Sequence, residues 1–325
     1  MRRLSIEIVT PVPRGSRAGN RVTALRWAAL LRSLAHEVRI TTSYESGAVD
    51  LVIALHARRS HASIRRFRDA FAEGQLAVAL PGTDVYRDIH HDRDSCLSLE
   101  LASRLVVLQT AAVLELPEKL RGKARVIVQS AEPHARKRKS RSPLRLIAVG
   151  HLRPEKDPFR LVEALSLIPD TPLEALHVGK ALAADLEEAA RAWMRRETRY
   201  RWKGELPPSR ARQMIADSDA LVLSSVLEGG ANVISEAVVC SVPVLASRIP
   251  SSVALLGEDY DGYFEVGDSG ELATLIKRFV GEPGFRARLK RQVQRLRPNF
   301  SPRREREAWR RLIAELFPVR RASRS

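Results

Sequence analysis

In the segment SSVLEGGANVISEA, Glu228 and Glu236 stand on either side of a Gly229-Gly230 turn, directly after the apolar run Ala220 to Leu223. A buried strand, a glycine turn and then a helix-like stretch aim the backbone N–H groups of Gly230, Ala231 and Asn232 at one point, where anions and sugar oxygens bind well. Eight residues across a turn and two helical turns bring Glu228 from the strand end and Glu236 from inside the helix to one cleft. A second cluster, GHLRPEKDP, follows the apolar strand Leu144 to Val149 and puts Gly150, His151, Arg153 and Lys156 at the carboxyl edge of the same sheet. An Arg/Lys pair supplies fixed positive charge to a departing diphosphate without a metal. Taken singly, each segment is also what an ordinary strand-to-helix connection looks like. At one sheet edge they make a ligand site, with Arg153, Lys156 and Glu228 as its catalytic candidates.

The first half carries other candidates. Arg14, Arg17 and Arg21 surround Gly15 and Gly19 in a loop that enters a helix near Asn20, an arrangement suited to a small anion or a donor phosphate. His56, Arg58 and Arg59 end a second strand, and Gly82, Thr83, Asp84 and Tyr86 end a third. Asp217-Ser218-Asp219 matches an Asp-X-Asp metal pattern, but it lies at a helix-to-strand junction, where Asp and Ser terminate elements. His90 and His91 stand among Asp88, Asp92 and Asp94 with no further His or Cys placed to complete a site. No metal and no cofactor is expected.

The elements that must position these residues alternate as strand and helix, the order of a parallel sheet with helices on both faces. Strands are predicted at 6–9, 37–42, 50–55, 75–80, 104–108 and 125–128, then at 144–149, 173–178, 200–203, 220–223 and 243–246. A helix from about Asn20 to Leu34 should carry Val22, Leu25, Ala29 and Leu30 on its apolar side. At 325 residues the chain suits two domains, here 1–138 and 139–300, followed by a helix and basic tail over 301–325. Two tandem Rossmann-like α/β domains bind ligands at the carboxyl ends of their strands, and the interdomain cleft is the expected site.

The net charge of +17 has a narrow origin. RKRKSR at 136–141 contributes +5 and residues 286–325 contribute +11, which leaves +1 for everything else. A linker and a C-terminal arm thus carry the excess, and neither stacking aromatics nor a nucleic-acid motif accompanies it. The alternative, a nucleic-acid-binding protein working through those basic segments, predicts steeply salt-dependent binding. The N-terminus reads as a first strand, with Glu7 inside it, and a cytoplasmic location is expected. Cys96 and Cys240 are too few for a disulfide scaffold.

The succession GHLRPEKD, WKGELP, SDALVLSS, EGGANVISEA and PVLAS resembles the nucleotide-sugar domain of the family-4 type of GT-B glycosyltransferases. That resemblance implies a donor site in which Glu228 meets sugar hydroxyls, Glu236 holds a ribose, Lys156 meets the diphosphate, and Leu206, two residues after Gly204, offers backbone to the base. The family's usual Arg is His151 here, with Arg153 nearby to take over the phosphate contact. The last helix, REREAWRRLIAEL, is expected to cross back to the first domain through Trp309, Leu312 and Leu316. RGSRAGNRVTALRWA, HARRS, GTDVYRDI and VGHLRPEKDP resemble one bacterial branch, the selenosugar synthases of selenoneine biosynthesis. The branch implies transfer from a UDP-sugar, of the UDP-GlcNAc or UDP-Glc type, to selenophosphate with formation of a carbon–selenium bond. In that reading Arg14, Arg17, Asn20, Arg21, His56, Thr83 and Asp84 face the anionic acceptor, and Gly19 the donor phosphate. A chalcogen nucleophile of low pKa is already ionised at neutral pH and hardly needs a general base. A glycosyltransferase with a carbohydrate or lipid-linked acceptor, docked at a membrane surface by the basic arm, is the alternative within the family.

Overall fold

The computed structural model of the protein describes residues 2–16, 18–137 and 143–318. Arg17, the heart of the basic linker at 138–142 and the tail beyond 318 lie outside the described residues. The chain forms two compact units, one of Met1–Gln129 with Pro302–Ser325 and one of Ser130–Ser301.

In the first unit β1 (Ser5–Val9), β2 (Glu37–Thr41), β3 (Leu51–Leu55), β4 (Gln75–Leu80), β5 (Arg104–Val107) and β6 (Ala124–Val126) form one parallel sheet in the order β2-β1-β3-β4-β5-β6. All five residues of β3, LVIAL, are buried, as a central parallel strand covered on both faces requires. At the edge, β2 (EVRIT) has none fully buried. The order reverses between β1 and β3, so the crevice outside the carboxyl ends opens there.

The second unit repeats the design with β7 (Leu144–Val149), β8 (Leu173–Val178), β9 (Tyr200–Trp202), β10 (Ala220–Leu223), β11 (Val244–Ser247) and β12 (Tyr263–Phe264), all parallel, in the order β12-β11-β10-β7-β8-β9. Its reversal lies between β7 and β10. Short β12 and the helices Pro208–Ala216 and Pro250–Leu256 complete this unit and lie outside the elements singled out by sequence pattern.

The helix Gly19–Ser33 corrects one expectation. It buries Thr23, Ala24, Trp27, Ala28 and Leu31, and Leu25 from the expected apolar side is 50% exposed. Trp27 decides the orientation, because its indole has the most apolar surface to hide and a polar N–H to satisfy. Both needs are met by the helix Pro302–Leu316. Glu305 accepts the indole N–H at 2.8 Å, and Trp309 packs edge-on with ring centroids 4.8 Å apart. Trp309, Leu312 and Leu316 join the core over β1 and β3. On the outer side Arg104 and Arg125 grip Glu315, and their hydrogen bonds hold its carboxyl down to about 2. No helix among the described residues is long and apolar enough to cross a membrane.

Trp309→Ala removes the ring that seals Trp27, and it should destabilise the first unit by about 3–5 kcal/mol. Denaturant unfolding followed by tryptophan fluorescence measures the loss; a change below about 1 kcal/mol would show that the helix is only a loose cover.

Candidate functional site

At the reversal point of the second sheet, the loop after β7 is threaded past β8 with almost no clearance. Gly150 N donates to Val178 O at 2.9 Å, and a Cβ placed on Gly179 would lie 1.8 Å from Gly150 O, so only glycine lets the two strand ends pass. Beyond this contact Leu152 N donates to Lys180 O, and Lys180 N donates to the Nδ1 of His151 at 3.1 Å. The loop closes in a tight turn over Pro154–Lys156, and Asp157 follows in the left-handed region at φ 43°.

The loop after β10 is stitched to this one. Ser224 Oγ reaches Asp157 O at 2.9 Å, and Val226 N donates to Glu155 O at 3.0 Å. Lys156 Nζ then donates to Glu228 Oε1, which also accepts from Ser225 Oγ at 2.7 Å. Ser247 Oγ fixes the Ser225 carbonyl at 2.6 Å. Glu228 is only 7% exposed. Both side-chain contacts fall on Oε1, which leaves the lone pairs of Oε2 able to accept from hydroxyl groups.

Gly229, Gly230 and Ala231 lead into the helix Asn232–Val239, with Glu236 half-buried on its second turn. The first turn has N–H groups without intrahelical acceptors and the positive end of the helix dipole. Asn232 Oδ1 and Arg153 Nε are buried without hydrogen-bond partners among the described residues. On the other flank, Gly179 N donates to Gly204 O at 2.8 Å and Trp202 Nε1 to Gly179 O at 2.8 Å, with half-buried Leu206 two residues beyond Gly204. Gly204 has φ +65°, a left-handed turn.

His151 is neutral in this setting. A backbone N–H can only donate, so Nδ1 presents its lone pair to Lys180 and the ring hydrogen sits on Nε2. Burial pushes the imidazole pKa below its usual value; Glu205 opposes, and Arg153, Lys156 and Lys180 push the same way as burial. The arrangement joins two cations, one neutral N–H donor and a helix start, which together can bind a polyanion, to carboxylates that can accept from hydroxyls.

In the first unit the residues singled out by sequence also lie at strand ends. Arg14 is exposed in the loop after β1, where Gly15 takes φ +88°; Gly19 and Asn20 open the helix Gly19–Ser33, and Arg21 is half-buried in its first turn. Thr83 begins the single turn Thr83–Val85 after β4. His56, just past β3, has the strained φ of 78°. Its Nδ1 accepts from Arg59 N at 3.4 Å and lies 3.7 Å from Asp84 Oδ2, and its Nε2 is 3.8 Å from Asp88. Asp84 is wholly buried, with Oδ1 bonded to Gly82 N and Oδ2 to Ala57 N, so its carboxylate is turned into the fold and does not face a ligand as the sequence suggested. Burial raises the Asp84 pKa against the pull of His56, and burial lowers that of His56 against the pull of Asp84.

The Asp-X-Asp pattern is employed in the fold. Asp217 accepts from Lys137 N at 2.6 Å, and Asp219 from Arg145 N and the Arg136 guanidinium. Sequence reasoning passed over Gly179 and Lys180, which shape the His151 loop, Ser224, which holds the backbone at Lys156 and Asp157, and Ser225, which braces Glu228. A glycine closing the apolar strand LEALHVG and two serines closing ALVLSS were the available signals.

His151 should remain mostly neutral, with its hydrogen on Nε2, at pH 6.5, where an unperturbed imidazole is half charged. Ring ¹⁵N shifts report both the charge and the tautomer, and a half-protonated ring at that pH would contradict the assignment.

Comparison with known proteins matches residues 130–296 to the family described as Glycosyl transferases group 1. The Glycosyltransferase 1 domain-containing protein 1 of Xenopus tropicalis is 34% identical over 113 residues, which are 34% of this chain and 32% of that protein, so the match spans about a third of the relative's length. Among solved structures, Alr3699/HepE of Anabaena, determined with UDP and glucose, superposes with a TM-score of 0.75 at 17% identity over 96% of this chain and 100% of that one. Sucrose-phosphate synthase from Thermosynechococcus elongatus gives 0.78 at 14% identity over 96% and 98%. These two are likenesses of fold.

Proposed function

The chain belongs to the group 1 glycosyl transferases, and on that premise we propose that it transfers a sugar from a UDP-sugar to a small anionic chalcogen nucleophile, selenophosphate. The observation that carries the donor half is the meeting, at the β7/β10 reversal, of the loop bearing His151, Arg153 and Lys156 with the loop bearing Glu228. Arg153, Lys156 and the start of the helix Asn232–Val239 would take the diphosphate and stabilise its charge as it leaves. The unpartnered Arg153 Nε and Asn232 Oδ1 represent hydrogen-bonding capacity that polar ligand atoms satisfy. Glu228 Oε2 would accept from sugar hydroxyls, Glu236 from the ribose, and the backbone at Gly204 to Leu206 would meet the base. Fold relatives solved with UDP, and with UDP and glucose, support this choice of donor.

The acceptor half belongs to the first unit. Arg14 and Arg21, with Arg17, supply positive charge for an anion, and the resemblance of their segment to selenosugar synthases selects selenophosphate. In the transfer, a C1–Se bond forms, the C1–O bond to the diphosphate breaks, and UDP carries away the electron pair. No proton has to be removed from the nucleophile. A hydroxyl acceptor is the second reading, favoured by one observation: burial favours the neutral form of His56, whose lone-pair nitrogen Nδ1, now on a long 3.4 Å contact with Arg59 N, would face Asp84 Oδ2 at 3.7 Å on taking up a proton.

Incubation with selenophosphate and a panel of UDP-sugars in excess EDTA, with mass spectrometry of selenium-containing products, decides between these acceptors. A selenosugar product is expected; UDP release only with hydroxyl acceptors would select the second reading. Glu236→Ala should raise the donor KM by about tenfold or more by removing a charged acceptor, and unchanged UDP binding by calorimetry would take Glu236 out of the site.

A further inference from the structure

On β8 the residues around His177 are Ala175, Leu176 and Val178, all buried and apolar, and His177 itself is only 3% exposed. Burying an imidazole there is costly unless its two nitrogens are satisfied. Both are. Nε2 lies 3.3 Å from Gly150 O and Nδ1 lies 3.0 Å from the Tyr200 hydroxyl. A carbonyl only accepts, so Nε2 carries the hydrogen, Nδ1 offers its lone pair, and the Tyr200 hydroxyl is the donor. The chain of bonds thus has one direction, from β9 through β8 to the end of β7.

We propose that His177 and Tyr200 are positioning residues for the donor site, a hydrogen-bonded strut that sets the loop carrying His151, Arg153 and Lys156. The inference rests on the donor-site reading of that loop. Gly150 is the loop's first residue, and its carbonyl is held between the His177 ring and the bare Cα of Gly179. His177 also lines, with Gly150, Lys156, Ser224 and Ser225, the narrow cavity beneath the two stitched loops. A sideways shift of the imidazole would therefore move Gly150 and with it the Lys156 stem, which packs over Gly150 Cα. The strut keeps its protons in the neutral pH range. Burial holds His177 down to about 4 and raises the Tyr200 phenol, so neither end changes charge there. A hydrophobic residue on β8 would fill the space without serving the carbonyl.

Three variants of the full chain test this: His177→Leu, which deletes both bonds; His177→Gln, whose amide can accept from Tyr200 and donate to Gly150; and Tyr200→Phe. UDP binding by calorimetry, donor and acceptor KM, kcat, thermal unfolding and the ¹⁵N shifts of the His177 ring are measured. The wild-type ring should be neutral with its hydrogen on Nε2. His177→Leu should weaken UDP binding and lower kcat together by about tenfold or more, with the acceptor KM unchanged, since misplacing reacting groups slightly has large effects. His177→Gln should return both to within about threefold of wild type, and Tyr200→Phe should fall between. A merely structural histidine would lower the unfolding temperature and leave the folded protein's donor constants unmoved. That result, a Gln variant no better than the Leu variant, or a ring hydrogen on Nδ1 overturns the proposal. Should His177→Leu fail to fold, wild-type donor constants in Tyr200→Phe overturn it equally. A wild-type protein that binds no UDP overturns the donor-site reading and this inference with it, whereas binding that none of the variants disturbs overturns this inference alone.

Discussion

The ion pair between Lys156 and Glu228 is the contact on which the second unit's site depends. The two residues come from loops 72 positions apart, and they meet because the strand order places β7 beside β10. Their side chains are 17% and 9% exposed, so each charge has given up most of its water. Such a pair is tolerated only where geometry and further hydrogen bonds compensate the lost hydration, and removing one partner leaves a buried uncompensated charge. Ser225 supplies the extra bond to the carboxylate, Ser247 fixes Ser225, and Ser224 secures the backbone behind the lysine. The serines that follow the apolar strand β10 are thus the scaffold of a charge and not mere strand punctuation.

A second constraint runs along the same edge and is purely steric. Gly150, Gly179 and Gly204 stand just past the ends of β7, β8 and β9, joined by Gly150 N to Val178 O and Gly179 N to Gly204 O. Only the middle glycine is demanded by close approach; at Gly204 a left-handed φ makes the demand instead. Three neighbouring strand ends are therefore locked at one height. Residues on their loops, among them His151 and Leu206, acquire their places from backbone packing before any side-chain contact is counted.

These constraints explain what was legible in the sequence. Strand ends with glycine, paired carboxylates and a Lys in a tight turn are local patterns, and β4, β7, β8 and β10 lie where periodicity placed them. The apolar face of the helix Gly19–Ser33 was not legible, because Trp27 takes its orientation from Glu305 and Trp309, about 280 residues away. Asp84 appeared as a polar loop residue open to a ligand; two backbone N–H groups and complete burial instead commit it to holding the turns at Ala57 and Gly82. Outside the two basic segments the chain is nearly neutral, and arginines there are also employed within the fold. Arg199 spends its guanidinium on the carbonyls of Leu165, Ile168 and Thr171, and Arg68 on those of Ala72, Gly74 and Leu101, so several arginines of the body close loops and helix ends. A planar fork with five donors suits that task better than an ammonium.

The neutral state of His151 bears on how much charge the proposed donor site can muster. An Arg at that position would add a third cation to Arg153 and Lys156, but Lys156 already shares its charge with Glu228. With a neutral imidazole the three charged side chains of the proposed donor site, Arg153, Lys156 and Glu228, sum to +1, Glu155 and Asp157 of the same loop lower that balance further, and the first turn of the helix Asn232–Val239 adds the equivalent of about half a positive charge. A diphosphate bound there would be incompletely neutralised in its ground state. Charge that moves onto the leaving oxygen during bond cleavage then meets donors whose favourable interaction is not already exhausted, and interactions that strengthen in the transition state are the ones that raise rate. The His151 Nε2–H suits this role, since a hydrogen bond from a neutral donor grows with the charge on its acceptor. Its orientation is not left to the ligand: the Lys180 N–H fixes the tautomer, and the Gly150–Gly179 contact fixes the backbone from which the ring projects.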